Sequence, residues 1–420
     1  MAGSDPIISN TTITNNESSN DNNEKGIELY NTANVTLINS IITGQNNDPI
    51  YFNGSNLDYP SFITISYSLI EGGQDSIVTN DNGTVTWGDG NVDIDPLFMD
   101  VDNDDYHLLA SSQCINGGDP ATFDSDGSRA DMGAYPYLNS YSGPTWYINE
   151  SGNDTDATGA SGDPFRSIQA GINFSSDADS VTVAAGTYVE NINFRGRNIK
   201  VVGASRETTI IDGDSSGSVV VFENLNNEFN HQYQDAVLKN FTITNGSGWS
   251  DGSGIKLHYF SSPTLSDLII SNNTSYQAAG GIDCESMCHP NIENVIVSNN
   301  TSSTAGGIMC FGGSNPTLTN VTITGNTAYN GGGVFCFNNS HPTLTDVTIS
   351  GNSADNMGGG FQGSSSDVKL RNVTIKGNTT SGEGGGLHFW NPSNADFTNV
   401  VISGNAASFF KQKTAYDILR

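Results

Sequence analysis

The C-terminal part of the chain repeats one sequence at a regular interval. The stretch "GGGVFCFNNSHPTLTDVTISGNSA", which begins at Gly331, is nearly the same as the "GGIMCFGGSNPTLTNVTITGNTA" that ends at Ala328. Three aligned columns keep this period: Ile243, Ile270, Val297, Ile323, Ile349, Ile375 and Ile402; Leu238, Leu265, Ile292, Leu318, Leu344, Leu370 and Phe397; and Gly254, Gly281, Gly307, Gly333, Gly360 and Gly386. A period of this length indicates stacked structural units rather than a single globule.

Each copy of the repeat divides into three short strands. After the glycines, successive side chains of the strand "GVFCF" point to opposite faces. Val334 and Cys336 therefore share one face, and Phe335 and Phe337 share the other. "PTL" is a second strand and "VTI" is a third. Between these two strands a polar column recurs: Asn240, Asp267, Asn294, Asn320, Asp346, Asn372 and Asn399. Because Asn and Asp tolerate the left-handed backbone region better than other non-glycine residues, this column predicts a tight corner in every coil.

This combination of short strands, coil length and corner column resembles the right-handed parallel β-helix of the pectate-lyase-like superfamily. The wording "GGGxxCxxxSxPTLTxVTIxGNxA" is similar to β-helix repeats of bacterial cell-surface and outer-membrane adhesins. The resemblance implies an all-β solenoid with three short strands per coil, each coil being one repeat of about 26 residues. It also implies a secreted or surface-attached protein.

One segment before the regular repeats predicts a cap. Residues 146–194 resemble the opening of pectate-lyase-like β-helix domains. Asp163 followed by Pro164 predicts a helix start, and apolar residues then recur at helical spacing: Phe165, Ile168 and Ile172. We therefore expect a short amphipathic helix that covers the first coil of a second domain.

The chain is expected to hold two solenoids in tandem. Residues 87–137 resemble the closing segment of such domains, so residues 1–140 are interpreted as the C-terminal part of a first β-helix. Residues 145–408 are interpreted as a second β-helix, with regular repeats from about 236 to 408. Residues 409–420 do not follow the repeat pattern. Codons that encode Lys411 to Tyr416 can match part of a common sequencing adapter, so we expect a non-native tail. An export signal and an anchor are expected to lie outside this fragment.

The charge of the chain disfavours two classes of partner. The formal net charge is -30, from 45 acidic and 15 basic residues. Nucleic acids and anionic membranes are bound through Lys and Arg, so neither is an expected partner. The sequence also contains no apolar run of membrane-spanning length. We expect a monomeric solenoid.

The cysteines are interpreted as core residues. Cys284, Cys310 and Cys336 occupy one inward-facing column and follow each other by one repeat. Cys288 lies near Cys284, and Cys114 stands apart. Because this spacing lacks a second ligand pair, we expect small buried hydrophobic side chains and no thiol-bound metal.

The outward side of the strand after the glycines is the expected functional surface, and its first zone is ionic. Asp283 and Glu285 lie on one face, with a single residue between them. This places their Cα atoms about 6.7 Å apart, which suits the two carboxyl groups of an inverting glycosidase. The alternative is a pair of cross-strand charge interactions with Lys256 and His258.

The second zone of this surface is aromatic, and it is the expected ligand-binding surface. It consists of Phe311, Phe335, Phe337 and Trp390, with Met309 beside them. Flat aromatic side chains suit the apolar faces of sugars and also suit a protein partner. The alternative is that these side chains pack under the long turns or are covered by another domain.

Calcium is the one cofactor that the sequence leaves open. Asp124, Asp126 and Asp131 lie close together in "FDSDGSRAD", but their spacing differs from that of a full EF-hand loop. The alternative is an acidic turn exposed to solvent.

Three functions are consistent with these patterns. The first is a non-catalytic module, secreted or on the cell surface, that binds carbohydrate, a glycan or a cell-surface protein. The second is a polysaccharide lyase or glycoside hydrolase, which the resemblance permits although no catalytic constellation supports it. The third is a purely structural stalk. Fold alone does not decide among them.

Overall fold

The structure is a computed structural model that describes residues 5–16, 25–45, 48–55, 57–222, 236–249, 252–391 and 393–408. Contacts divide the chain into two compact units. The first unit is Met1–Gly143 with Gly152–Phe174, and the second is Pro144–Ser151 with Ser175–Arg420. The expected non-native tail, residues 409–420, lies outside the described residues. The solenoid boundaries expected from the sequence stay a prediction.

The first unit contains three parallel sheets and one antiparallel pair among its described residues. The parallel sheets consist of Ile7–Ser9, Asn34–Ile38, Ser61–Ser66 and Gly83–Trp87; of Thr12–Thr14, Ile41–Thr43 and Leu69–Ile70; and of Ile27–Leu29 and Ile50–Phe52. The antiparallel strands are Phe98–Asp100 and Asp105–Leu108, and the 3₁₀ helices are Gln74–Ser76 and Val101–Asn103. Apolar side chains between the sheets form a continuous core that includes Leu37, Phe52 and Ile65.

The one α-helix of the described residues spans Ile168–Phe174 and is buried along its whole length. It begins later than Asp163, because the Asp163 carboxylate instead accepts a hydrogen bond from the Thr158 N–H at 2.8 Å. Ser167 caps the helix, since its Oγ accepts from the Ala170 N–H at 3.3 Å. Asn173 Nδ2 donates to the carbonyls of Ala110 and Ser112, and the helix groups with the first unit. Among the described residues, no helix has the length and apolar character needed to cross a membrane.

The described strands of the second unit form four parallel sheets, which we number for reference. The first sheet consists of Ile192–Asn193, Val220–Phe222, Ile255–Leu257, Ile282–Glu285, Ile308–Phe311, Val334–Phe337, Phe361–Ser364 and Leu387–Trp390. The second consists of Thr145–Ile148, Ser180–Val183, Lys200–Gly203, Val237–Lys239, Thr264–Ser266, Asn291–Glu293, Thr317–Thr319, Thr343–Thr345, Val368–Arg371 and Ala395–Thr398. The third consists of Gly186–Val189, Thr209–Asp212, Thr242–Thr244, Ile269–Ser271, Ile296–Ser298, Thr322–Thr324, Thr348–Ser350, Thr374–Lys376 and Val401–Ser403. The fourth consists of Ser247–Gly248, Thr274–Ser275, Thr301–Ser302, Thr327–Asn330, Ser353–Met357, Thr379–Thr380 and Ala406–Ala407.

The strand register confirms the parallel β-solenoid predicted from the repeat. In the isoleucine column, Ile323 pairs with Ile349 and Ile349 pairs with Ile375. In the column of mostly leucine residues, Leu318 likewise pairs with Leu344 of the next coil. The three predicted strands of each coil are present, and the short strands of the fourth sheet are added in the region that the sequence assigned to a long turn. Because most of these added strands are very short, they carry little alternating pattern.

The predicted corner column is also confirmed. Its residues, such as Asn294 and Asn320, have φ between 54° and 66°. Side chains of this column bind along the axis, as where Asn320 Nδ2 donates to Asn294 Oδ1 at 2.7 Å. The polar residue therefore turns the chain and also links adjacent coils.

A second asparagine column lies inside the solenoid, and the sequence analysis did not single it out. Its buried members each follow a residue with positive φ: Asn273, Asn300, Asn326, Asn352 and Asn378. Asn326 donates from both its backbone N and its Nδ2 to Asn352 Oδ1, at 3.0 Å each. Nδ2 also donates to the carbonyl of Val297 at 3.0 Å. We call this arrangement the asparagine ladder; it pairs buried polar groups between coils.

The glycine column is explained by the close approach of neighbouring coils. A Cβ added to Gly307 would lie 2.3 Å from the carbonyl oxygen of Gly333, and one added to Gly333 would lie 2.4 Å from that of Gly360. A side chain at these positions would therefore force the coils apart.

Replacing Asn326 with alanine is expected to lower the free energy of unfolding by about 3 kcal/mol or more, since each buried group left unpaired costs about 1–3 kcal/mol. The measurement is urea denaturation followed by circular dichroism. Asn320→Gly is the matched control, because glycine adopts positive φ without steric cost. Equal destabilisation by both substitutions would contradict the role of the asparagine ladder.

The cysteine column lies inside the solenoid as its alternation predicts. Cys284 pairs with Cys310 and Cys310 pairs with Cys336, and all three side chains are fully buried. Cys288 and Cys114 are buried as well. Burial raises the pKa of Cys288 to about 12 and raises the pKa of Cys284 and Cys336 well above the ordinary thiol value.

Because thiolates and not thiols react, the five cysteines are expected to be nearly inert toward Ellman's reagent in the native protein and to react fully in guanidinium chloride. The measurement is the absorbance of released thionitrobenzoate. A thiol that reacts rapidly without denaturant would show that this core opens readily.

Candidate functional site

The outward side of the first sheet has the two columns that the sequence predicted. In the first column, Asp283 pairs with Met309, Met309 with Phe335, and Gln362 with His388. In the second column, Glu285 pairs with Phe311, Phe337 with Ser364, and Ser364 with Trp390. Neighbouring members of a column are one strand spacing apart, about 4.8 Å.

The expectation that Asp283 lies on an open surface is wrong. The side chain is only 1% exposed, and Met309 is also buried. The backbone of Gly252 lies against Asp283, since a Cβ at Gly252 would be 2.3 Å from Asp283 Cβ. The chain leading into the first sheet therefore folds over the first outward column, and a substrate cannot approach Asp283 from that side.

Glu285 lies in the second column and has a different environment. It is partly exposed, and its Oε2 lies 3.5 Å from Nε2 of His258 on the preceding coil. This is one of the two cross-strand pairs that the sequence analysis gave as the alternative, and it is an ion pair when His258 is protonated. An inverting glycosidase needs water and the glycosidic oxygen between its two carboxyl groups, and the burial of Asp283 leaves no such space.

The aromatic zone is partly packed and partly exposed. Phe335 and Phe337 stack with ring centroids 4.6 Å apart, and both pack against a buried cluster of Ala278, Ala279, Ala305 and Met309. The expected exposure is thus wrong for Met309. Phe335 and Phe337 are partly buried against residues that precede the first-sheet strands, as in the alternative of packing under the turns. Trp390 in the second column is 59% exposed.

The accessible part of this zone is an aromatic row in the second column. Phe311 and Phe337 lie with ring centroids 4.6 Å apart, and both are partly exposed. Ser364 occupies the next coil and Trp390 the one after it. We call Phe311, Phe337 and Trp390 the outer aromatic row.

A further group of exposed aromatic residues lies in or directly after strands of the fourth sheet, where the sequence analysis expected only a turn. Trp249, Tyr276 and Tyr329 are 69%, 53% and 52% exposed, respectively. Trp249 and Tyr276 stack with centroids 5.1 Å apart. Tyr276 follows Trp249 by one repeat, and this spacing was the signal available in the sequence.

In the acidic loop of the first unit, the carboxylates bind backbone N–H groups. Asp131 is buried and accepts from the N–H groups of Asn116 and Tyr137, at 2.7 Å each. Asp124 accepts from the Asp131 N–H at 2.9 Å, and Asp126 accepts from the Asn139 N–H at 2.8 Å. These bonds tie the acidic loop to the backbone of neighbouring segments.

The described residues contain no group of three His, Cys, Asp or Glu side chains placed to hold a metal ion. The calcium site expected at Asp124, Asp126 and Asp131 therefore gains no support from this geometry, and it stays a prediction. Burial raises the pKa of Asp131 to about 7 from 3.8, although the two backbone donors oppose this shift.

The stability of the first unit is expected to fall as the pH rises from about 4 to about 7. In this window the folded protein keeps the Asp131 proton while the unfolded chain releases it, so protonation favours folding. The measurement is the melting temperature against pH in buffer with a calcium chelator. Asp131→Asn cannot titrate, so its pH dependence should be weaker; an equal dependence in both proteins would contradict this assignment.

Comparison with known proteins agrees with the observed fold. Residues 225–407 match the family described as right-handed β-helix region. A search of curated proteins finds no match. The matched segment contains most strands of the four stacked sheets and the described part of the asparagine ladder. Residues 225–407 of this chain are therefore similar to the right-handed β-helix region family.

Proposed function

We propose that this chain is a non-catalytic β-helix module, secreted or held at a cell surface, that binds carbohydrate or another cell-surface ligand. The observation that carries this proposal is the outer aromatic row. Trp390 is 59% exposed although it lies in a regular strand of the first sheet. A large exposed aromatic side chain on a rigid strand supports binding because little conformational entropy is lost when a ligand covers it.

The spacing of the outer aromatic row supports a sugar as the ligand. Phe337 and Trp390 lie two coils apart, about 9.6 Å, with the small Ser364 between them. This gap is wide enough for one sugar ring between the two aromatic side chains. The Ser364 hydroxyl lies at the base of the gap and accepts a hydrogen bond from Asn391 Nδ2 at 3.2 Å. Sugars present both an apolar face and hydroxyl groups to such a surface.

The charge of the chain supports neutral rather than acidic ligands. With a net charge of -30, the protein repels polyanions at a distance. A surface glycan or cell-surface protein without a strong negative charge is therefore the favoured partner, and we propose that the solenoid binds it as a monomer.

The enzymatic alternative has less support. A polysaccharide lyase or hydrolase would need reactive groups that a substrate can reach. Asp283 is buried and Glu285 pairs with His258. The structural-stalk alternative differs from our proposal in one respect: it requires that no ligand contacts the outer aromatic row.

Trp390→Ala is expected to weaken binding of the best polysaccharide about tenfold or more, since removing an exposed aromatic anchor costs more than about 1 kcal/mol. The measurement is isothermal titration calorimetry with the full chain, after a screen of plant and algal polysaccharides. Phe123→Ala is the control, because Phe123 is similarly exposed but lies in the first unit.

Two results would contradict the proposed function. One is the absence of binding to every polysaccharide and to whole cells; unchanged binding by Trp390→Ala would instead overturn only the role of the outer aromatic row. The other is release of reducing ends from a polysaccharide by the wild-type protein, with or without calcium, that disappears in the Asp283→Asn, Glu285→Gln variant. The second result would make the protein an enzyme.

A further inference from the structure

We propose that the fourth sheet carries a separate binding site for a neutral polysaccharide, formed by Trp249, Tyr276 and Tyr329. We call these three residues the fourth-sheet aromatic site. The site lies on a different sheet from the outer aromatic row, so it can exist whether or not that row binds a ligand.

Strand register places the residues of this site in one column. Ser275 pairs with Ser302 and Ser302 pairs with Ala328. The next residue of each coil therefore aligns in the order Tyr276, Ser303, Tyr329. Trp249 precedes Tyr276 by one coil, and the Tyr276 N–H donates to the Gly248 carbonyl at 3.0 Å. The backbone ladder thus holds the aromatic residues at fixed spacing.

The orientation of the first two rings leaves one ring face open. Trp249 and Tyr276 stack with centroids 5.1 Å apart and an interplanar angle of 30°. Because they are on consecutive coils, a stack between them directs their ring faces along the solenoid axis. The second face of Tyr276 therefore points toward the next coil, where the residue in the column is Ser303.

A slot follows from this arrangement. Tyr276 and Tyr329 are two coils apart, about 9.6 Å along the axis, since neighbouring strands lie about 4.8 Å apart. Rings in contact have centroids about 4.5–7 Å apart. Ser303 between them is exposed and too small to fill this space. This spacing is large enough for one six-membered sugar ring above the Ser303 hydroxyl.

The surroundings of the slot favour a sugar ring over an apolar ligand. Polar groups lie on the same coils, including the exposed side chain of Gln277 and the half-buried Asn330 amide, whose Oδ1 accepts from Asn356 Nδ2 at 2.9 Å. The strand residues on either side are serine and threonine. Sugar hydroxyls can bind such groups while the C–H face of the ring contacts a tyrosine.

The charges around the slot favour a neutral sugar. The exposed Asp355 lies on the coil after Tyr329, where the register of the two strands shifts between Ala328 and Asn330. Between Lys256 and Lys369 the sequence has no lysine or arginine to pair with a carboxylated sugar. Acidic polysaccharides are therefore disfavoured both by this neighbourhood and by the net charge of -30.

Filling the slot provides the sharpest test. Ser303→Tyr places a third ring between Tyr276 and Tyr329 and should reduce binding of a neutral polysaccharide at least tenfold without unfolding the solenoid. Ser381→Tyr is the matched control, because Ser381 lies on the coil after Asp355 and is also exposed. Binding would be measured by affinity electrophoresis and calorimetry of the full chain with mannan, xyloglucan, mixed-linkage glucan and polygalacturonate.

Removing the two tyrosine rings tests whether they contact the sugar. Tyr276→Ala and Tyr329→Ala should each weaken binding about tenfold, whereas Tyr30→Ala, at an equally exposed position of the first unit, should have no effect. Thermal melts of every variant separate loss of binding from loss of folding.

The outcomes distinguish this site from the outer aromatic row. Loss of binding in Ser303→Tyr but not in Trp390→Ala would support the fourth-sheet aromatic site alone. Loss in Trp390→Ala but not in Ser303→Tyr would overturn it and leave the proposed function intact. Absence of binding to every neutral polysaccharide, tighter binding to polygalacturonate, or binding to a protein partner alone would each overturn the assignment of a neutral polysaccharide.

Discussion

The asparagine ladder is the interaction on which the second unit depends. A strand that slips by one residue turns its apolar side chains outward, so each coil must keep one register with the next. In the ladder, Oδ1 of Asn352 accepts two hydrogen bonds from Asn326, one from the backbone and one from the side chain. A shift by one residue would break both bonds and leave buried polar groups unpaired. The ladder therefore fixes the register that also aligns the core columns, the cysteines and every surface row.

The turn before the first sheet limits which side chains a ligand can reach. At Gly252 the backbone of this turn lies against Asp283. This covers Asp283 and Met309 while leaving Trp390 exposed. Asp283 is thereby enclosed, whereas Glu285 in the second outward column stays partly exposed. Exposed aromatic side chains lie in the second outward column and next to the fourth sheet.

On these two surfaces, the solenoid repeats one arrangement: two neighbouring aromatic residues, a serine, and a third aromatic residue. On the first sheet the serine is Ser364, and on the fourth sheet it is Ser303. Since strands lie about 4.8 Å apart, omitting one large side chain from a column creates a gap that suits one flat ring. In a parallel solenoid, one small residue in a column of aromatic residues can thus leave a gap of the size of one ring. Such a gap needs neither a deep pocket nor an irregular loop.

The sequence by itself determined the solenoid, its period, three of its strands, the φ-positive corner at residues such as Asn320, and the inward position of Cys310. These features depend on local alternation and on a fixed repeat, which the chain displays directly. Only the tertiary structure decided that Asp283 is buried, that Asn326 belongs to a ladder, and that Tyr276 stacks on Trp249. The physical reason is that alternation shows which side of a strand a residue takes, whereas exposure depends on what the turns and the neighbouring coils place over that side.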